Sequence, residues 1–302
     1  MIKRILLILL AVVLAWLAWE AITFPNVKKL ATEKPKTTAF MEQRKRELRR
    51  QDKSDALEWR WVAYDKISPS LRRAVLVAED NQFYEHEGVD VKAMQEAFER
   101  NWKRGKVTHG GSTITQQLAK NLYLSPSRNP LRKVREYFIA RSLEKHLSKK
   151  RILEIYLNVV EMGERVYGAE AAARHYFSRS ASALSASQAA LLAGCLPNPR
   201  IMNPGDPNKR LRARQKMILS RMRRWGYAFE RQVLTDKKLD AEKPTTTDTV
   251  ATDTADAEAT ETTETTGTAA TETTETSEPT DTAPEEPPPT ETTPTDTTVT
   301  TT

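Results

Sequence analysis

Two groups of residues in this 302-residue chain have the types and spacing to do chemistry. The first runs from Ala78 through Glu79, Asp80, Phe83, Tyr84 and His86 to Asp90. Ser68 and Pro69 open a helix just before it, Ser68 at the N-cap and Pro69 at the first helical position. Leu71, Ala74, Val75 and Ala78 recur at helical spacing, so Glu79 and Asp80 arrive at the C-terminal end of that helix. The helix dipole opposes negative charge there, and two aromatic side chains follow at once. A carboxylate in that setting is a general base of raised pKa; a frayed helix end with two solvated acids fits the stretch equally well.

The second group begins at Gly110-Gly111. Ser112, placed as the cap of the next helix, stands at i, i+4, i+8 with Gln116 and Lys120, so hydroxyl, amide and ammonium share one face. These groups and the helix N-terminus can hold phosphate or sugar oxygens. Arg128, Arg132, Lys133 and Arg135 follow, which makes five cations within residues 120–135, and no acid occurs from Lys103 to Arg135. Glu136 closes the run. Its i,i+4 spacing from Arg132 also fits a plain surface ion pair.

The motifs Glu79–Asp90, Gly110–Asn121 (GGSTITQQLAKN), Arg132–Glu136 (RKVRE) and Lys150–Asn158 (KRILEIYLN) are followed by Gly168–Ala173 with Tyr176-Phe177. In this order and spacing they resemble the peptidoglycan glycosyltransferases of family 51, and among them the monofunctional biosynthetic transglycosylases, over residues 28–230. The resemblance implies a mainly α, lysozyme-like, two-lobed fold with a cleft between the lobes. It implies a polymerase of lipid II, in which the 4-hydroxyl of one lipid-linked disaccharide attacks C1 of another. Undecaprenyl diphosphate leaves with inversion. By the same resemblance Glu79 is the general base, and Glu136 assists at the leaving diphosphate or holds a metal there. Lys120 and Arg128 bind the donor diphosphate, with Ser112, Gln116, Arg132, Lys133 and Arg135 completing the substrate set. A divalent cation, Mg²⁺ by this resemblance, accompanies them. Glu96 stands where some relatives carry an arginine, which puts that one substrate contact in doubt. Two rivals remain: a lytic enzyme on the same scaffold, and a catalytically silent membrane-anchored scaffold with other wall-synthesis proteins as partners.

The elements that must position these residues are mostly helices. Asp90 caps one to Lys103, stopped by Gly105; Pro130 opens another through Leu147; Ser148 caps a third. Shorter ones follow over Tyr167–Phe177 and Ser185–Leu196, and Asp206-Pro207 starts a basic helix through Arg224, closed by Gly226. The alternation from Leu57 to Trp61 reads as one short strand. This predicts a single glycosyltransferase domain over residues 57–235.

Lys3 and Arg4 precede an uncharged apolar run from Ile5 to Trp19, continued after Glu20 to Phe24. This predicts an uncleaved transmembrane anchor over residues 1–25, with its N-terminus in the cytoplasm, the domain outside, and the inner membrane of a bacterium as the location. Residues 26–56 read as a polar juxtamembrane segment. Beyond Lys243 the chain is Thr, Glu, Asp, Pro and Ala, a composition too poor in apolar residues for a core, so 243–302 reads as a disordered tail. All 47 cations lie at or before Lys243 against 26 acids, leaving the body at +21, and the other 14 acids belong to the tail. A body that basic expects an anionic partner; the anchor argues for a membrane lipid over nucleic acid. Cys195 is the one cysteine and sits in an apolar run, so it reads as a buried hydrophobe. Ser142-Leu143-Glu144-Lys145 mimics a penicillin-binding motif inside a helix without its partner motifs. The four histidines lack ligand spacing.

Overall fold

The computed structural model describes residues 2–105, 111–126 and 129–224; within them, the side chains of Ile2, Val13, Trp16, Leu17, Ala21, Asn101 and Arg104 are outside the description. The chain divides into two units, Met1–Thr246 and Thr247–Thr302. The second unit, and with it the expected disordered tail, lies outside the described residues.

The expected helices form, and their caps explain where. Helix α1 spans Ile2–Ile22, α2 Ala39–Arg49, α3 Pro69–Glu79 and α4 Val91–Arg104. Ser68 caps α3 through Ser70 N, Asp90 caps α4 through Ala93 N, and Gly105 ends α4 in the left-handed region. Helix α5 covers Ile114–Tyr123, α6 Pro130–His146, α7 Lys149–Val159, α8 Ala169–Phe177 and α9 Ala186–Cys195. A further helix, α10, occupies residues 209–224. Its cap is Asn208, whose Oδ1 accepts from Leu211 N at 2.9 Å, two residues later than the expected Asp206-Pro207 start.

Helix α3 packs most extensively on α9, and α5 on α6 and α7. Ile114, Leu118, Ile139, Leu143, Ile152, Ile155 and Tyr156 are fully buried between them. The strand β1 (Glu58–Trp59) matches expectation, but it pairs with two strands that the sequence pattern did not disclose: β2 (Glu161–Gly163) and β3 (Val166–Tyr167). The order is β1-β3-β2, parallel between β1 and β3 and antiparallel between β3 and β2, with Trp59 opposite Tyr167. Two- and three-residue strands carry too little alternation to be read from sequence. Gly168 follows β3 at φ 79°, and a Cβ there would lie 2.4 Å from Asn158 O, so only glycine lets α8 start against α7.

Residues 26–56 differ from the expected juxtamembrane segment. Val27, Leu30, Met41 and Leu48 are buried, and α2 packs on α5. Within this segment an N-cap is followed by a core anchor: Thr38 accepts from Met41 N, and Met41 is 1% exposed. Helix α1 occupies the expected anchor position. Among the described residues no helix is long and apolar enough to cross a membrane, so no span is shown.

Candidate active site

Glu79 is the last residue of α3, and its side chain is 14% exposed. Oε2 accepts from Gln117 Nε2 at 3.0 Å. The orientation of Gln117 is fixed from behind, because Tyr156, buried in α7, donates its hydroxyl to Gln117 Oε1 at 2.9 Å. A buried tyrosine is held protonated, so it is the donor, and the amide must turn its NH₂ toward Glu79. Burial raises the Glu79 pKa above its ordinary value, and Asp80 adds to this; Gln117, Arg214 and Lys120 oppose it.

Asp80 is a structural hub. Both its oxygens lie 3.0 Å from His86 Nε2, and Oδ2 accepts from Ile114 N at 2.9 Å. Gly88 N donates to His86 Nδ1, which leaves the His86 proton on Nε2, facing Asp80. Thr113 Oγ1 donates to Gly88 O at 2.6 Å. The loop after α3 is thereby tied to the first turn of α5, and this places Gln117 against Glu79. Phe83, expected as an apolar wall, turns into the core instead at 1% exposure.

The cap of α5 is Thr113, not Ser112. Thr113 accepts from Gln116 N, and Gln116 Oε1 accepts from Thr113 N, a reciprocal capping box contributing about 1 kcal/mol. Gln116 is 1% exposed and serves the helix start, so the structure does not offer it to a ligand. Ser112 stays exposed and accepts from Lys133 Nζ at 3.2 Å.

Glu136, on α6, is 2% exposed. Arg132 Nη1 reaches its Oε2 at 2.8 Å, and Lys133 Nζ meets Oε1. The spacing seen in the sequence is therefore an ion pair, but a buried one with a second cation. Lys120, half-buried on α5, faces the same cluster: burial lowers its pKa, Glu136 counters this, and Arg132 and Lys133 lower it further. Two cations thus pair with one carboxylate and a third faces it without a direct pair, an excess of positive charge that an anion can fill. Arg135 does not join them. Its Nη2 donates to Thr23 O at 2.6 Å and its Nη1 lies 3.1 Å from Glu20 Oε2, so it docks α6 to the end of α1. Arg128 lies outside the described residues.

Glu79, Asp80, Ser112 and Thr113 line a cleft of about 570 Å³. Lys92, Arg100, Arg221 and Arg224 bring cations to it. Glu96 lines it too, paired with Arg100 at 3.2 Å, so a guanidinium stands one turn from the position where the sequence carries the acid.

The model of the family described as transglycosylase matches residues 45–223, more than half of the chain. The chain belongs to the transglycosylase family. A protein of Nitrosospira multiformis named biosynthetic peptidoglycan transglycosylase is 48% identical over 219 residues, covering 72% of this chain and 94% of that protein. One of Methylobacillus flagellatus with the same name is 46% identical over 220 residues, 73% of this chain and 95% of that one. A third, from Janthinobacterium, is 50% identical over 188 residues, 62% and 81% of the two chains.

Several motif residues of this transglycosylase domain hold the fold and stand apart from the cleft. Asn158, fully buried, accepts from Val62 N through Oδ1 and donates to Val62 O and Glu154 O through Nδ2. Glu170 pairs with Arg174 at 2.6 Å and accepts from Ala181 N at 2.7 Å. Burial pushes the Cys195 thiol up to about 12, so it is no nucleophile. Gln117, Arg214 and Arg221 were missed by sequence reasoning. The pattern Thr113-x-x-Gln116 was the available signal for the first, since it marks Gln116 as the capping partner and leaves Gln117 for the site. One cation among many in α10 gives no such signal.

Proposed function

We propose that this enzyme polymerises lipid II, a disaccharide-peptide carried on a polyprenyl diphosphate, into linear glycan strands. The acceptor's 4-hydroxyl oxygen attacks C1 of the donor sugar from the face opposite the diphosphate. Glu79 takes the hydroxyl proton as the C1–oxygen bond to the diphosphate breaks, and the new linkage is inverted. A diphosphate leaves without needing a proton when cations take up its charge, so this reaction asks for one base and a cationic cluster rather than two carboxyl groups. Lys120, Arg132, Lys133 and the Ser112 hydroxyl supply that cluster in this reading, and Glu136 holds the cations together.

The observation that carries the proposal is the contrast within reach of Lys120: a buried carboxylate held by a neutral amide at Glu79, and a carboxylate at Glu136 with a cation on each oxygen. A lytic enzyme needs the first and has no use for the second. The names of the relatives point the same way.

The expected divalent cation finds no protein cage here. Among the described residues no three His, Cys, Asp or Glu side chains converge, and both Glu136 oxygens are engaged by cations.

We further propose that α1 anchors the enzyme in the inner membrane, with the catalytic domain on the outer side. Ile5 to Leu10, Val12 and Leu14 of α1 are all exposed and offer an apolar surface to lipid. Val91, Met94, Phe98 and Trp102 form an exposed apolar stripe on α4, and Leu131, Val134 and Phe138 form another on α6. Both suit a lipid surface.

The test is incubation of detergent-solubilised enzyme with labelled lipid II, wild type beside Glu79→Gln, with products sized on a gel. Long strands from the wild type alone support the reading. Shortening of preformed glycan without new strands would replace it with the lytic one; neither activity would favour the silent scaffold.

A further inference from the structure

Helix α10 meets α9 at Gly194. A Cβ there would lie 2.9 Å from Leu211 Cδ1, 3.7 Å from Arg214 Cβ and 3.8 Å from Ile218 Cδ1. Those three residues fall at i, i+3, i+7, one face of α10, and the glycine lets that face seat closely. Leu211 and Ile218 are fully buried in the contact. Arg214, between them, donates Nε–H to Gly194 O at 2.9 Å, near the C-terminus of α9. That bond fixes the guanidinium fork, and Nη2 then stands 3.9 Å from Glu79 Oε1. Two turns on, Arg221 Nη1 donates to Val77 O at 3.3 Å, in the last turn of α3. So α10 brings two guanidinium groups to the negative end of the helix that terminates in Glu79.

The two oxygens of Glu79 are therefore treated differently. Oε2 accepts a hydrogen bond from Gln117, whereas Oε1 faces a fixed cation beyond hydrogen-bond distance. We propose that Arg214 is a positioning residue for glycosyl transfer: it keeps Glu79 ionised ahead of the acceptor and leaves Oε1 able to take the hydroxyl proton. A direct ion pair would hold the carboxylate too firmly to act as a base. With no cation so near, burial would shift it further toward the protonated form.

The other groups facing Glu79 do not fill this role. Asp80, next to it, opposes ionisation, while Lys120 from α5 favours it less than Arg214 does. Tyr156 from α7 and Cys195 from α9 face it as neutral groups, both held protonated by burial. Gln117 is neutral.

The inference rests on Glu79 being the base, so the experiment reads Glu79 in two ways. The first is the pH dependence of kcat/KM for strand formation in wild type, Arg214→Gln and Arg214→Lys, with melting curves for each. The second is direct NMR titration of the Glu79 carboxyl in protein labelled at glutamate, without substrate. In Arg214→Gln the acid limb and the Glu79 titration both move up by about one pH unit, a loss of roughly tenfold on the acid side that shrinks as pH rises. Arg214→Lys restores most of the shift. A loss by the same factor at every pH, with the titration unmoved, would overturn the proposal, as would Arg214→Lys behaving like Arg214→Gln. Should Arg214→Gln fail to fold, Gly194→Ala crowds α10 away from α9 with the arginine intact. An upward shift there supports the inference, and an unmoved Glu79 titration sinks it. Strand formation surviving in Glu79→Gln would refute the base reading separately, while the titration still reports on Arg214.

Discussion

Glu79 and Glu136 are both largely buried glutamates within electrostatic reach of Lys120, and their surroundings are opposite. Glu79 is held by one neutral amide, with a guanidinium at 3.9 Å. Glu136 has a cation on each oxygen. Burial costs the charged form in both places, but only at Glu136 is that cost met by direct ion pairing. A carboxylate so paired is a poor proton acceptor and a good organiser of cations; the less firmly held one is the reverse. Sequence spacing gives only part of this division: Glu136 stands about one helical turn from Arg132 and Lys133, and Glu79 at a helix end without a nearby cation, but the guanidinium facing Glu79 comes from packing.

The contrast can be broken at either end. Glu79→Gln keeps the size and hydrogen-bonding reach of the side chain and removes the base, so kcat should fall by about 10²–10⁴ in the strand-formation assay. Glu136→Ala leaves Arg132 and Lys133 without their counter-charge in a buried setting; it should cost about 3–5 kcal/mol of unfolding free energy by denaturant titration, as well as activity. Should Glu136→Ala melt like the wild type, the organising role is wrong. Tyr156→Phe removes the donor that sets the Gln117 amide and should cost about 1–3 kcal/mol of stability, with a smaller loss of rate than Glu79→Gln.

The smallest effect is the most diagnostic. Burial raises the folded-state pKa of Glu79 above its ordinary value of 4.5, the reverse of the common carboxylate case. The fold therefore favours the protonated form: any stabilisation from this group is complete below 4.5 and lost as pH rises through the raised folded value. Glu79→Gln should then be slightly more stable than wild type at neutral pH, with the difference closing as pH falls toward 4.5. An ion-paired glutamate would show the opposite trend.

Much of this was legible along the chain. The helices are local objects, set by caps such as Ser68, Asp90 and Ser148 and by 3.6-residue periodicity, and both act over a few residues. Glu79, Lys120, Arg132 and Lys133 were found because their motifs are contiguous. The misassignments have one cause, the direction in which a side chain points. Their spacing predicts one helical face for Ser112, Gln116 and Lys120, yet Thr113 takes the cap, Gln116 closes it and Ser112 falls outside the helix. Arg135 belongs to the same basic run as Lys133, but two helical steps of about 100° each turn it to another face, toward Thr23 and Glu20.

The sequence by itself therefore determined the helical composition, the cationic run and the family, and it singled out Glu79 as the candidate base. Only the tertiary structure decided which cations surround which glutamate, because those partners come from α3, α5, α6 and α10, and no spacing along one element encodes the distance between two. It also decided that Gln117 and Arg214 meet Glu79. A neutral amide, a guanidinium fixed on the Gly194 carbonyl and a buried carboxylate form one group only when three helices bring them within 4 Å. The physical reason is that both desolvation and Coulomb attraction depend on distance in space, which packing sets.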